Sequence, residues 1–199
     1  MRIDLAQATR LATLARDGDA DAFDALVAAC DRVVLELAER LLLDHHEAED
    51  VRQLAWLKAW RALPQFDARA SFPTWLYRIV VNACRDRTRA RQRAAQHAGP
   101  MRALPLALAA AQRGPAADLE RDELRQRVVA AVEALPAEER EAVVLRHFHD
   151  LNASEIAEVV GRPRTTVQSC LARALARLNF RLKPHAGAPA FSDPVTRTP

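Results

Sequence analysis

The sequence predicts an all-α protein made of two small helical domains joined by a flexible linker. Three observations lead there. β-Branched alternation never persists along the chain, whereas Ala, Leu, Arg and Glu, all good helix formers, dominate. Apolar residues recur at spacings of three and four, the period of a helix with one buried face. Between two such sets of segments lies Gln96–Ala117, with Gly99, Pro100, Pro105, Gly114 and Pro115, which reads as a linker.

The first four helices are expected over Asp4–Arg16, Ala20–Leu43, Glu47–Leu63 and Phe72–Arg93. Asp17-Gly18-Asp19 breaks the first pair, and Pro64 to Ser71 forms the loop before the fourth. Acids Glu47, Glu49 and Asp50 suit the positive end of the third helix dipole, and Glu49, Gln53, Trp56 and Trp60 share one line along it. Taken alone, that is an amphipathic helix with buried tryptophans. The fourth helix has two stripes. Phe72, Trp75, Leu76, Ile79 and Ala83 form an apolar one, and Arg78, Asn82, Arg85, Arg89 and Arg93 a basic one on the opposite side. A row of guanidinium groups over four turns exceeds what the C-terminal dipole calls for and favours a nucleic-acid face.

Four more helices are expected over Leu119–Leu135, Ala137–Phe148, Ser154–Val160 and Arg164–Leu182, with Pro136 in the first turn of its helix. The last two read as a helix-turn-helix. Ala157 is small enough for a close crossing, and Gly161 stands where the turn needs a positive φ. Val167, Leu171, Ala174, Leu175 and Leu178 then share the packing face of the final helix. From Gly161 to Pro184 every charged residue is basic, whereas the preceding helices are rich in acids. Basic charge gathers where phosphates would lie.

The 199-residue length suits one or two compact domains, and the formal charge of +3 decides little beside this segregation. Three scattered cysteines, Cys30, Cys84 and Cys170, argue against a disulfide framework and for a reducing cytoplasm. His45, His46, His147 and His149 lack companions at zinc spacing and are expected as surface or capping residues. No metal site, cofactor, signal region or membrane span is expected. The tail after Pro184 is expected to be disordered.

Quoted in order, GDADAFDALV, AEDVRQLAWLKAWRAL, FDARASFPTWLYRIVVNACRD and LPAEEREAVVLRHF followed by SEIAEVVGRPRTTVQSCLARALARL resemble the extracytoplasmic-function (ECF) sigma factors of bacterial RNA polymerase, within the sigma-70 family. The resemblance runs from Gly18 to Arg93 and from Leu119 to Leu182. It implies sigma domain 2 over residues 1–95, a linker over 96–117, sigma domain 4 over 118–183 and a tail over 184–199. It also implies a non-enzymatic, cytoplasmic transcription initiation factor that takes core RNA polymerase to promoters and helps open them.

The resemblance assigns Glu49, Asp50 and Gln53, with Trp56 beside them, to the clamp helices of the polymerase largest subunit. It assigns the loop Phe66–Phe72, with Phe66, Arg69, Ser71 and Phe72, to capture of an unpaired −10 base, next to Arg78, Asn82, Arg85 and Arg89. Domain 4 would read the −35 duplex through Arg146, Arg164, Thr165, Gln168, Ser169, Arg173 and Arg177. Arg173 is expected at base edges, and Arg164 and Arg177 nearer phosphates. The polymerase flap would be a further contact, and an anti-sigma partner is left open.

Departures from the family pattern are Leu54, where an acid is usual, Thr165, where Gly is common, and Gln168 and Cys170 at two often basic positions. Gln168 keeps the ability to bond adenine in two places, and Cys170 would offer a weak contact. Two other readings fit parts of the pattern. One is a helix-turn-helix regulator with a sensory or dimerisation N-terminal module, and the other a protein adaptor that has lost promoter recognition.

Overall fold

The computed structural model describes residues 5–97 and 119–183. Among them are α1 (Leu5–Arg16), α2 (Ala20–Leu42), α3 (His45–Ala62), a 3-10 turn (Leu63–Gln65), α4 (Phe72–His97), α5 (Leu119–Glu133), α6 (Ala137–His147), α7 (Ala153–Val160) and α8 (Arg164–Leu182). The all-α expectation holds, as does the order of helices. The expected tail, and nearly all of the expected linker, lie outside the described residues.

Differences at the helix ends follow from caps. The Asp44 carboxylate accepts from the Glu47 N–H, so α3 starts two residues before the expected Glu47. Nothing in Ala94–His97 breaks a helix, and α4 runs one turn past Arg93. Pro136 is not in the first turn of α6 but one position before it, as the N-cap, and Pro163 does the same for α8. At α7, Asn152 and Glu155 form a capping box, which satisfies two orphan donors at once. Gly161 closes α7 at φ +67, the left-handed conformation its place in the turn predicted.

α2 is the spine of the N-terminal domain. Leu26, Cys30, Val34, Leu37, Ala38 and Leu41 bury one face of it against α1, α3 and α4. In the C-terminal domain Val167, Cys170 and Ala174 turn α8 inward, against α5, α6 and α7. Leu175 departs from the expected packing face and is half exposed, while Leu171 and Leu178 are partly covered.

The domains are not separate bodies. α7 lies on α4 and α6 on the end of α2, and Val144, Leu145, Ile156 and Val159 join the core of the N-terminal helices. Among the described residues no helix is long and apolar enough to cross a membrane.

Candidate nucleic-acid and polymerase interfaces

The helix-turn-helix presents α8 with Val167, Cys170 and Ala174 inward and Arg164, Thr165, Gln168 and Ser169 exposed along its first turns. Ser169 Oγ donates to the Thr165 carbonyl at 2.9 Å, which fixes its rotamer. Cys170, expected as a weak contact to DNA, is buried in the packing face and has no access to a base. Arg173 and Arg177 are half exposed but tethered. Both reach the buried Glu139 carboxylate of α6, with Nε at 3.4 Å and 3.0 Å. Arg146 donates to the Leu151 carbonyl and so closes the α6–α7 turn. Arg162 holds Glu138 in a two-point pair.

On α4, Arg78, Asn82 and Arg89 are exposed, as the two-stripe pattern predicts. Arg85 is an exception. Its guanidinium turns into the contact between the domains and grips Glu141. Further along, Arg87 approaches Glu47 and Asp50, and Arg91 approaches Glu47, so the basic end of α4 leans on the acidic start of α3.

The loop before α4 divides its residues between core and solvent. Phe66 and Phe72 are interior, and they form an aromatic cluster with Trp75 at centroid distances of 5.4–5.8 Å. This corrects their sequence assignment to a base-contacting loop: the rings are sheltered from any base in this conformation. The gain from removing a large apolar ring from water decides the matter. Ser71 is used to start α4, accepting from the Thr74 N–H at 3.3 Å. Arg69 is exposed, 3.1 Å from Asp67.

On α3, Asp50 and Gln53 are exposed and Glu49 is half-buried. Trp56 is buried rather than presented, and its indole donates to Asp31 at 3.0 Å. Arg52 takes the other Asp31 oxygen at 2.7 Å. The outer face is more apolar than expected. Leu54, Leu57 and Trp60 are all 42–55% exposed, and Trp60 packs its ring edge on Phe23. With Phe23, Val27 and Asp31, Leu57 and Trp60 border an open groove of about 760 Å³ between α2 and α3. Sequence reading missed Phe23 and Leu57 and counted Trp60 as buried. The spacing Gln53–Leu57–Trp60 was a signal for one shared face.

The N-terminal helices match the family model Sigma-70 region 2 over residues 26–94, and the C-terminal ones match Sigma-70, region 4 over residues 125–178. The chain is 36% identical to RNA polymerase sigma-H factor of Pseudomonas aeruginosa, across 84% of this chain and 89% of that protein. It belongs to the sigma-70 family, in the ECF group. ECF RNA polymerase sigma-E factor of Escherichia coli is 32% identical, across 84% and 90% of the two chains. Two solved structures share the fold. One is CnrH in complex with the cytosolic domain of CnrY (TM-score 0.65, 28% identity, 88% of this chain and 97% of that one). The other is RpoE of Bartonella quintana in complex with the anti-sigma factor NepR (TM-score 0.69, 27% identity, 81% and 96%). The function is therefore that of a sigma factor, direction of RNA polymerase to promoters, and it involves no catalysis. A sensory or dimerisation module is replaced by region 2.

Two thiols in the core of the N-terminal helices of this sigma factor are inert. Burial pushes Cys30 up to about 11 and Cys84 up to about 12, so both stay protonated. Among the described residues no cluster of His, Cys, Asp and Glu could hold a metal ion.

His149 is neither a surface nor a capping residue. It sits at the junction of the domains with its ring 4.8 Å from that of Tyr77, and Nε2 is buried without a hydrogen-bond partner. Burial first, then the Arg40 charge, push it down to about 4 against the opposing pull of Glu36 and Asp150. The neutral imidazole is thus the form that packs. Its contribution is complete above the ordinary value near 6.5 and is lost as pH falls from there towards 4, by at most about 3 kcal/mol. Melting temperature of the wild type is expected to drop over that window more steeply than that of His149→Phe, and identical pH profiles would reject the assignment.

Proposed function

We propose that this sigma factor docks on core RNA polymerase through the outer face of α3 and reads promoter DNA with α4 and α8. The observation that carries the DNA half is the division of α8: Val167, Cys170 and Ala174 hold it in place while Arg164, Thr165, Gln168 and Ser169 stay available. Gln168 can make the two-point bond to adenine, and Arg164 at the helix start suits a phosphate. On domain 2, Arg69, Arg78, Asn82 and Arg89 form the accessible part of the −10 surface. Asn82 both donates and accepts, which suits the edge of an unpaired base.

The polymerase half rests on Asp50 and Gln53 beside the Leu54–Leu57–Trp60 face, a polar rim on an apolar centre, the usual anatomy of an interface. The clamp helices of the largest subunit are the proposed occupant. On domain 4, α5 runs an apolar line Leu124–Val128–Val132 of which only Val132 is covered, and Leu175 and Phe180 of α8 are also exposed. That surface is offered to the flap. An anti-sigma factor is a further proposed partner, since the related Bartonella quintana protein was crystallised with one. The division into units 1–95 and 118–183, joined by 96–117, and action in the cytoplasm with the polymerase complete the proposal.

Run-off transcription with purified bacterial core polymerase tests it, and absence of any specific transcript would reject it. The docking face has its own test. Asp50→Ala with Gln53→Ala should leave the melting temperature unchanged, because both side chains are exposed, yet weaken core binding tenfold or more, about 1.4 kcal/mol. Unchanged core affinity would remove α3 from the interface.

A further inference from the structure

Arg85 belongs to the α4 line that runs Arg78, Asn82, Arg85, Arg89, yet its side chain is only 19% exposed, against 69% for Arg89. All three of its guanidinium nitrogens are engaged by the C-terminal domain. Nε donates to Glu141 Oε1 at 2.9 Å, Nη2 to Oε2 at 2.6 Å, and Nη1 to the Val160 carbonyl at 2.9 Å. That planar two-point fork is the geometry with which arginine also grips a phosphate.

The contact is answered from the other side. Arg140 of α6 donates to the Leu41 carbonyl at 3.2 Å. Each domain therefore extends an arginine to a last-turn carbonyl of the other, at the negative end of a helix dipole, α7 in one case and α2 in the other. Arg40 lies 4.4 Å over the Phe148 ring in the same seam.

We propose that Glu141 acts as an internal stand-in for a nucleic-acid phosphate, holding Arg85 in a closed state that must open before promoter DNA is engaged. The consequence for promoters rests on the functional reading above. By their names, −10 and −35 elements lie about 25 base pairs apart, roughly 85 Å of duplex. A compact chain of this length has a radius of gyration of about 16 Å, so domains packed on one core cannot reach both elements. The ion pair itself does little to resist release. A buried ion pair regains in Coulomb attraction little more than its desolvation takes away, so a phosphate or a partner can replace Glu141 at small net cost.

Small-angle scattering of the full chain, without polymerase, tests the latch itself. Glu141→Arg sets two like charges together and should raise the radius of gyration by about a quarter or more, with helicity by circular dichroism retained. Arg85→Glu combined with Glu141→Arg rebuilds the pair and should return the chain to the wild-type value. No expansion in the single variant, or no recompaction in the swap, would overturn the latch. The phosphate role is tested by binding of a 12-nucleotide single strand at low salt. Glu141→Gln should tighten binding several-fold, and adding Arg85→Ala should abolish the gain. Equal affinity of wild type and Glu141→Gln would overturn the competition. Failure of run-off transcription together with a normal scattering response would reject the promoter reading and leave the latch standing.

Discussion

Phe72→Ala is expected to lower stability by about 3–5 kcal/mol, roughly 10 °C or more in melting temperature. The ring is fully buried, 5.8 Å from Phe66 and 5.6 Å from Trp75, and its loss leaves a cavity in a rigid aromatic cluster. The Phe72 N–H also donates to Thr9 Oγ1 at 3.1 Å, so the same position pins the start of α4 to α1. Slackening it releases Ser71 and Arg69, and promoter opening should fail along with stability. A residue whose ring served only to touch DNA would behave differently: alanine would spare the melting temperature and impair opening alone. Thermal denaturation beside permanganate footprinting of the promoter separates the two, and an unchanged melting temperature would restore the DNA-contact reading.

The second large effect concerns the arginines of α8. Arg173→Ala with Arg177→Ala should destabilise the protein by about 3–5 kcal/mol, although both side chains are half exposed. The reason is their shared partner. Glu139 is only 6% exposed, and without them its charge is stranded in the interior. Adding Glu139→Gln should recover most of that stability, because a neutral amide can be left in place at far lower cost. It should not recover −35 binding if the guanidinium groups also reach DNA. Recovery of both would make the two arginines purely structural, whereas no recovery of stability would show that Glu139 is not what they hold. Binding to a −35 duplex, measured across salt concentrations, reads the DNA arm.

Helix order, the helix-turn-helix and the family were all legible in the residues, because each rests on short-range rules. The run Arg164–Leu182 was bounded to the residue, since Pro163 starts it. Gly161 declared its left-handed turn. The WLYRIVVN segment pointed to region 2, which the family model bears out. Periodicity also sorted the exposed residues of α4 from the buried ones, with Arg78, Asn82 and Arg89 on the open side.

Other placements needed the third dimension. Periodicity tells which face of a helix differs from the other, but not how far the neighbouring helices extend over it. Trp56 and Trp60 lie one turn apart on one line, yet α2 covers the first and leaves the second half exposed. Cys170 is the contrary case. Three residues after Val167 and four before Ala174, it falls on the packing face by the helical period itself, and only the family resemblance suggests a contact to DNA.

The sequence by itself determined the helices and their order, the two family regions and the sign of charge along α4 and α8. Only the tertiary structure decided that Arg85 faces Glu141, 56 residues away, and that Arg173 and Arg177 converge on Glu139. Helix formation is set by interactions within about four residues, so the local chain encodes it. The partner of a long cationic side chain is whatever carboxylate the packing of apolar faces brings within its reach.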